Sequence, residues 1–224
     1  MIDPAKTAFV IPARGGSKRI PGKNLIPFGG KALIDHSIAY AQSHKQLARH
    51  LLVTTDSPEI KAHCENQNVT VIDRPADLAS DTATTVSALQ HLVQTAPMDL
   101  DWIILLQATN PLRPEGLMKD AIETINSQQG DSLMCVSTFD KKLGKLTDGK
   151  FEPYNYHLGQ RSQDMEPLYR ENGLLYVSHT DLLKKGMLLG PKQTVLICDH
   201  PFADADIDTP EDLNFAEFLL KTYA

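Results

Sequence analysis

Short apolar runs alternate along this chain with longer stretches in which apolar residues recur at helical spacing. Seven such runs, bounded by polar or turn-forming positions, predict β-strands. They span residues 8–11, 51–54, 69–72, 103–106, 133–136, 174–177 and 195–197. None of them approaches the length of a membrane-spanning helix.

Helical patterns fill many of the intervals between these runs. They cover residues 32–43, 58–65, 84–95, 115–127 and a final segment that begins at 210. Ser57 precedes Pro58, and Thr209 precedes Pro210, so each pair predicts an N-cap followed by proline at the first helical position. Strands that alternate with helices predict an α/β fold with a mainly parallel sheet, in which ligands bind at the carboxyl ends of the strands.

One polar segment, about residues 138–170, interrupts the alternation. It carries glycines, prolines and tyrosines in a pattern that indicates a hairpin or lobe rather than core. A long excursion of this kind in a compact domain is usually functional or forms an interface. We therefore expect a single domain over residues 1–224 with this segment as a protruding lobe.

Charge is distributed unevenly. The chain has 28 acidic residues against 22 Lys and Arg, a net charge of −6, which argues against broad nucleic-acid binding. Residues 4–34 contain no acid, and this stretch is either a solvated basic face or a site for a small anion. Its basic residues are Lys6, Arg14, Lys18, Arg19, Lys23 and Lys31.

Cysteine usage and the start of the chain bear on the compartment. Cys64, Cys135 and Cys198 are too few and too widely spaced for a disulfide framework or a zinc motif, so we expect small core residues. No signal-peptide pattern opens the sequence. We expect a cytoplasmic protein without a membrane partner.

A glycine-rich basic loop, residues 11–25, follows the first predicted strand. Gly15 and Gly16 allow backbone N–H groups to approach a ligand, while Arg14, Lys18 and Lys23 supply charges suited to a triphosphate. The spacing fits neither a Walker A loop nor a dinucleotide-binding fingerprint. A plain basic turn is the alternative interpretation.

This loop resembles the N-terminal signature of the CMP-sialate synthetases, the acylneuraminate cytidylyltransferases, and more loosely that of the CMP-Kdo synthetases. The resemblance extends over about residues 8–216. It implies a Rossmann-like three-layer fold and assigns the phosphates of CTP to Arg14, Lys18, Lys23 and Asn24.

Two further segments match family motifs in order. Residues 74–85 read as a turn and a helix cap, and the resemblance implies nucleotide contacts from Arg74 and Thr85. Residues 105–113 follow a buried strand, and Gln107 and Thr109 are candidates for contacts with the ligands. For Arg113 a surface ion pair and a ligand role are both open.

The resemblance also supplies a sugar site and a metal site. Arg161, Gln163, Arg170 and Asn172 match an Arg-Gln element and an Arg-x-Asn-Gly element, and are candidates for binding the carboxylate and acyl groups of a sugar. The alternative for Asn172 and its following glycine is a tight turn. Asp206 and Asp208 alternate along an extended segment and are candidate Mg²⁺ ligands.

The resemblance implies a transferase that couples CTP to a sialic-type 2-keto acid and releases pyrophosphate. Arg14, Lys18, Lys23 and Asp208 are its candidate catalytic residues, and the general base is left open. It also implies a homodimer in which the lobe reaches the partner. Pseudaminic, legionaminic or Kdo-type acids are alternative substrates, and a glycosyltransferase or a non-catalytic nucleotide-binding protein are more distant alternatives.

Overall fold

The computed structural model describes residues 2–223, which form eleven strands and six α-helices. The strands are β1 (Thr7–Pro12), β2 (Pro27–Phe28), β3 (Lys31–Ala32), β4 (His50–Thr55), β5 (Thr70–Asp73), β6 (Trp102–Leu105), β7 (Ser132–Phe139), β8 (Gly144–Thr147), β9 (Lys150–Pro153), β10 (Leu168–His179) and β11 (Gln193–Ile197). The helices are α1 (Leu33–Ser43), α2 (Pro58–Glu65), α3 (Thr85–Thr95), α4 (Leu117–Gln128), α5 (Thr180–Lys184) and α6 (Pro210–Tyr223).

Seven strands form one sheet in the order β11-β7-β10-β6-β1-β4-β5. Every neighbouring pair is parallel except the two that involve β10, which runs antiparallel to β6 and to β7. All seven predicted strands lie in this sheet, and the expected mainly parallel α/β fold is confirmed.

Helices cover both faces of the sheet because side chains alternate along its strands. Phe9 and Ile11 of β1 pack on one face in a core that includes residues of α1, α2 and α4. Ala8 and Val10 of the same strand pack on the other face with residues of α3 and α5. The sheet lies between these two layers of helices, which is the predicted three-layer arrangement.

Both predicted N-caps are confirmed. The Ser57 side chain accepts a hydrogen bond from the Ile60 amide at the start of α2. Thr209 accepts from the Asp212 amide at 3.2 Å, and Asp212 accepts from the Thr209 amide at 2.8 Å, so α6 begins with a reciprocal cap.

The segment from about 138 to 170 holds the antiparallel hairpin β8–β9, which forms a separate two-stranded sheet. Every residue from 140 to 152 is exposed. Several exposed side chains there are apolar, namely Leu143, Leu146, Phe151, Tyr154 and Leu158. The hairpin therefore presents apolar surface outside the main core.

The three cysteines are free thiols. Cys64 and Cys135 are buried and Cys198 is partly buried, as expected for small core residues. Burial raises the pKa of Cys135 to about 12, so this thiol stays protonated. Among the helices of residues 2–223, none has both the length and the apolar composition needed to cross a membrane.

Candidate active site

A cleft of about 500 Å³ opens at the carboxyl ends of β1 and β6 and at the amino end of α3. This is the edge of the sheet at which an α/β fold binds ligands. All eight of the predicted nucleotide and catalytic residues line it, together with Thr109. These are Arg14, Lys18, Lys23, Asn24, Arg74, Thr85, Gln107 and Asp208.

The glycine-rich loop is held tightly against the segment after β4. A Cβ atom on Gly15 would lie 2.8 Å from the Cβ of Ser57, so only glycine fits without displacement. The Gly15 amide donates to a carboxylate oxygen of Asp56 at 2.9 Å. Asn24 is buried, and its amide donates to the Arg14 carbonyl at 2.9 Å. Asn24 therefore holds the loop in shape, although the resemblance assigned it to phosphate.

Asp81 pairs with two of the predicted phosphate ligands. Its Oδ1 lies 3.1 Å from Nη1 of Arg14, and its Oδ2 lies 2.5 Å from Nζ of Lys18. The hydrogen bond from Lys18 is the largest cause that holds the pKa of Asp81 below its usual value. Arg14 also donates to the Ser80 carbonyl at 3.1 Å. The Asp81 carboxylate is thus paired with two cations, Arg14 and Lys18, that are predicted to bind the triphosphate.

Lys23 and Arg19 converge on Asp208 from the same loop. Nζ of Lys23 lies 2.7 Å from one carboxylate oxygen, and the Arg19 guanidinium lies 3.0 Å from the other. Lys23 also donates to the Ile207 carbonyl at 2.9 Å. All three predicted basic catalytic residues are therefore paired with carboxylates, Arg14 and Lys18 with Asp81 and Lys23 with Asp208.

The amino end of α3 faces the same cleft. Thr85 is the first helical residue, and Thr84 is its N-cap and accepts from the Ser87 amide at 3.1 Å. A helix amino terminus carries partial positive charge and free N–H groups, which favour anions. Arg74 is buried and donates to the Thr54 carbonyl, and this burial lowers its pKa. Both predicted nucleotide residues of this motif therefore lie at the cleft.

A second cleft, of about 380 Å³, adjoins the first through Gln107. Arg170 and Asn172 line it, as the predicted sugar site requires, together with Glu171, Tyr176, Asp204 and Asp206. Arg170 forms an ion pair with Asp204, and the Tyr176 hydroxyl donates to Glu171. Gln107, two residues after the end of β6, lines both clefts.

The side chain of Asn172 forms its hydrogen bonds within the protein. Its side-chain amide donates to Ser137 Oγ at 3.0 Å, and its oxygen accepts from the Leu174 amide at 3.2 Å. The side chain is buried and its polar atoms are used. Sugar contacts from this side chain stay a prediction, since Asn172 lines the second cleft at the β10 bulge but its side-chain polar atoms bond within the protein.

Arg161 and Gln163 lie outside both clefts of their own chain. Both are exposed at the end of the lobe, in or beside the short 3-10 turn Ser162–Asp164. The Arg161 guanidinium pairs with Asp164 at 2.7 Å. Within a single chain the structure does not bring these two residues to the predicted sugar site.

The predicted metal ligands flank the boundary between the clefts, with Asp206 on the second and Asp208 on the first. The Ile207 amide between them donates to the Thr109 carbonyl at 2.8 Å, which fixes the segment beside the end of β6. Desolvation and the charge of Asp208 raise the pKa of Asp206. Residues 2–223 contain no group of three or more metal-ligating side chains. Two carboxylates fit Mg²⁺ that completes its shell with water and phosphate oxygens.

Neither sequence interpretation of Arg113 is correct. The side chain is buried and makes neither a surface ion pair nor a contact with either cleft. From within the core, its Nη2 donates a hydrogen bond to the Gln107 carbonyl at 3.0 Å.

Sequence reasoning also missed Asp81, Arg19 and Asp56. Asp81 lies within the 74–85 motif. Its negative charge, in a motif predicted to face the basic loop, was the feature that could have indicated an ion pair. Arg19 belongs to the basic segment, but no local pattern points it at Asp208. Asp56 directly follows β4, and its position at a carboxyl strand end marks it as a candidate.

Known proteins match this chain over nearly its full length. Residues 8–216 match the cytidylyltransferase family. The chain is 30% identical over 213 residues to an N-acylneuraminate cytidylyltransferase of Streptococcus agalactiae, covering 92% of this chain and 51% of that protein. It is also 30% identical over 225 residues to a pseudaminic acid cytidylyltransferase of Campylobacter jejuni, covering 96% and 97%. The chain spans about half the length of the streptococcal relative.

Two further matches extend this picture. A CMP-N,N'-diacetyllegionaminic acid synthase of Legionella pneumophila is 30% identical over 223 residues, covering 95% of each chain. A CMP:2-keto-3-deoxy-manno-octonic acid synthetase solved with CTP has 17% identity and a TM-score of 0.72, covering 98% of this chain and 100% of that one. The structural match supports the fold. Since the family match extends from residue 8 to residue 216, the chain belongs to the cytidylyltransferase family.

Proposed function

We propose that this chain couples CTP to a 2-keto nonulosonic, sialic-type acid to give the CMP-sugar and pyrophosphate. The anomeric hydroxyl oxygen of the acid forms a bond to the α-phosphorus of CTP. The bond between that phosphorus and the oxygen bridging to the β-phosphate breaks, pyrophosphate leaves, and the hydroxyl proton passes to solvent. Phosphoryl transfer of this kind depends mainly on alignment and on neutralising charge.

The observation that carries the proposal is the position of Gln107. It lines both the basic cleft and the adjoining cleft that holds Arg170. A nucleotide whose triphosphate lies in the first cleft and an acid in the second meet at this residue. A protein that only binds a nucleotide has no need of the second cleft.

Each part of the basic cleft has a place in this reaction. Arg14 and Lys18 bind the β- and γ-phosphates once Asp81 releases them, and stabilise the departing pyrophosphate. Lys23 holds Asp208 in position, and Arg74 and the amino end of α3 face the nucleotide. Arg170 is the cation of the second cleft and the candidate partner of the sugar carboxylate.

We also propose that Asp206 and Asp208 hold Mg²⁺. When bound there, the ion supplies Lewis-acid polarisation of the phosphate. The raised pKa of Asp206 supports this role, because a carboxyl group that is costly to ionise alone is stabilised by a nearby cation. Chelation by EDTA is expected to abolish turnover and added Mg²⁺ to restore it. An Asp206→Asn variant is expected to need more Mg²⁺ than an exposed Glu211→Gln control.

The identity of the acid is the finer part of the proposal. Relatives named for N-acylneuraminate, pseudaminic acid and N,N'-diacetyllegionaminic acid are each 30% identical to this chain. Pseudaminic and legionaminic acids are therefore direct alternatives, and a Kdo-type acid is a further one.

Pyrophosphate release tests both parts together. The purified protein is incubated with CTP, Mg²⁺ and, in separate reactions, N-acetylneuraminate, legionaminate, pseudaminate or Kdo. Release that depends on one acid supports the reaction and identifies the substrate. Tight CTP binding without release by any acid supports the non-catalytic alternative, and consumption of a finished nucleotide sugar supports the glycosyltransferase.

We propose, finally, that the protein acts as a homodimer in the cytoplasm. The exposed apolar side chains of β8–β9 need a partner surface, and a second copy is the occupant that also explains Arg161 and Gln163. Both are exposed on the same lobe and lie away from their own cleft, so they are available to the cleft of the partner. Free, largely buried cysteines fit a reducing compartment.

A further inference from the structure

Arg113 is a buried cation that has no carboxylate partner in the described chain. Only 8% of the residue is exposed. Its guanidinium donates from Nε to the Leu174 carbonyl at 2.8 Å, from Nη1 to Ser37 Oγ at 3.1 Å, and from Nη2 to the Gln107 carbonyl at 3.0 Å. Burial lowers its pKa to about 10, so the group still carries its charge at neutral pH.

A buried charge without a counter-ion is costly, and an apolar side chain of similar size would avoid that cost. The position of Arg113 therefore needs an explanation other than stability. The face of the Tyr40 ring lies 5.4 Å from the guanidinium carbon, and the hydrogen bonds satisfy the donors, so both offset part of the desolvation. What no apolar side chain can do is hold three separate backbone and side-chain groups at fixed spacing.

The three acceptors belong to three elements that meet at the junction of the clefts. Gln107 lies in the loop directly after β6 and lines both clefts. Leu174 lies within the bulge of β10, and residues 170–173 of the same strand line the second cleft. Ser37 lies on α1, and its hydroxyl also donates to the Gln107 carbonyl, at 3.3 Å. A planar fork with five fixed donors is suited to holding such a set.

We propose that Arg113 is a positioning residue that sets the spacing between the nucleotide cleft and the acid cleft. It acts from within the core, without lining either cleft, by fixing the Gln107 carbonyl and the β10 bulge relative to each other. The inference rests on the proposed function, because only a reaction between two bound substrates requires that spacing. A displacement at this junction misaligns the attacking hydroxyl and the α-phosphorus, while the triphosphate subsite stays intact.

Arg113→Lys separates positioning from charge, because it keeps a buried cation but replaces the rigid planar fork with a compact ammonium whose donors rotate on a flexible stem. We expect kcat/KM for the acid to fall by about tenfold or more, with the dissociation constant of CTP close to that of the wild type. Ser37→Ala removes one acceptor and leaves the buried charge in place, so it is expected to show the same pattern more weakly. Arg49→Lys, an exposed substitution of the same chemistry, is the matched control and is expected to behave as wild type.

Two kinetic results would contradict the positioning role of Arg113. Equal losses in CTP binding and in acid turnover, or no change in the acid parameters of a folded Arg113→Lys protein, would overturn the proposal. Absence of turnover in the wild type would instead count against the proposed function alone.

Hydrogen exchange supplies a readout that needs no activity. In Arg113→Lys we expect faster amide exchange confined to residues 106–110 and 172–176. Faster exchange spread over the whole sheet would mean that Arg113 serves general stability, and would contradict a positioning role. Because Ser37→Ala leaves the buried arginine in place, the same local pattern can be checked in it if Arg113→Lys does not fold.

Discussion

The ammonium of Lys23 lies 2.7 Å from the carboxylate of Asp208, at a separation of 185 positions in the sequence. This ion pair joins the phosphate loop to the Asp-Ile-Asp segment. Only 11% of the Lys23 side chain is exposed, whereas 64% of the Arg19 side chain on the same carboxylate is exposed. We therefore expect Lys23 to contribute more than Arg19 to stability and catalysis, although both contact Asp208.

Replacing Lys23 by Met removes a nearly buried charge-assisted hydrogen bond and leaves Asp208 without its inner partner. We expect the free energy of unfolding to fall by about 1.5–3 kcal/mol and kcat to fall by about 100-fold. Urea unfolding and steady-state kinetics measure the two effects. Arg19→Met is the comparison and is expected to change stability by less than about 1 kcal/mol, as for an exposed pair. Equal losses in the two variants would contradict the assignment.

Asp81 competes with the triphosphate for Arg14 and Lys18. Asp81→Asn removes a negative charge from the wall of the cleft and frees both cations. We expect the dissociation constant of CTP to decrease by about two- to fivefold, the range expected for exposed ion pairs. Isothermal titration at fixed ionic strength measures it, with exposed Asp77→Asn as the control. Weaker CTP binding in Asp81→Asn would show that the carboxylate organises the loop instead.

Gly173 occupies a backbone conformation that favours glycine, with φ of +72°, and a Cβ atom there would lie 2.7 Å from Oδ1 of Asn110. Gly173→Ala is expected to lower the free energy of unfolding by about 1–3 kcal/mol and to impair the acid cleft. Denaturant unfolding provides the measurement. A second substitution, Asn110→Ala, removes the clash but not the strain in φ, so we expect it to restore only part of the loss. Full stability in Gly173→Ala alone would refute this account of the bulge.

The apolar lobe predicts the oligomeric state. Leu146 on β8 has 79% of its surface exposed in the single chain, so a buried charge at this position in a dimer would be costly. We expect wild type to have the mass of a dimer by light scattering and Leu146→Asp to have the mass of a monomer with a normal circular dichroism spectrum. Lys119→Asp, on the exposed surface of α4, is expected to remain dimeric. A monomeric wild type would remove the basis for a partner-site role of Arg161.

Local sequence predicted the sheet strands well because buried strands in this fold are short apolar runs with clear boundaries. It also predicted the start of α2 and of α6, where Ser57 and Thr209 are capping residues followed by proline. It did not predict the antiparallel direction of β10, since direction depends on tertiary connections. The two-residue strands β2 and β3 and the short helix α5 are too brief to leave a periodic pattern.

The site was predicted less completely than the fold because residue type does not specify where a side chain points. Motif order located the basic loop, Gln107 and Asp206 correctly at the two clefts. Motif order also assigned Asn172 to the sugar, but it did not indicate the hydrogen bond that the Asn172 amide donates to Ser137. Arg113 is the opposite case, a charged residue that the core encloses because three elements supply acceptors for it.

Phosphorus NMR of a reaction mixture tests the central claim most directly. The protein is incubated with CTP, Mg²⁺ and the acid that supports pyrophosphate release, and the signals are followed over time. We predict that a phosphodiester signal and a pyrophosphate signal grow in equal amounts as the triphosphate signals disappear. Free CMP in place of the phosphodiester, or triphosphate signals that do not change with any of the four acids, would contradict the proposed transfer.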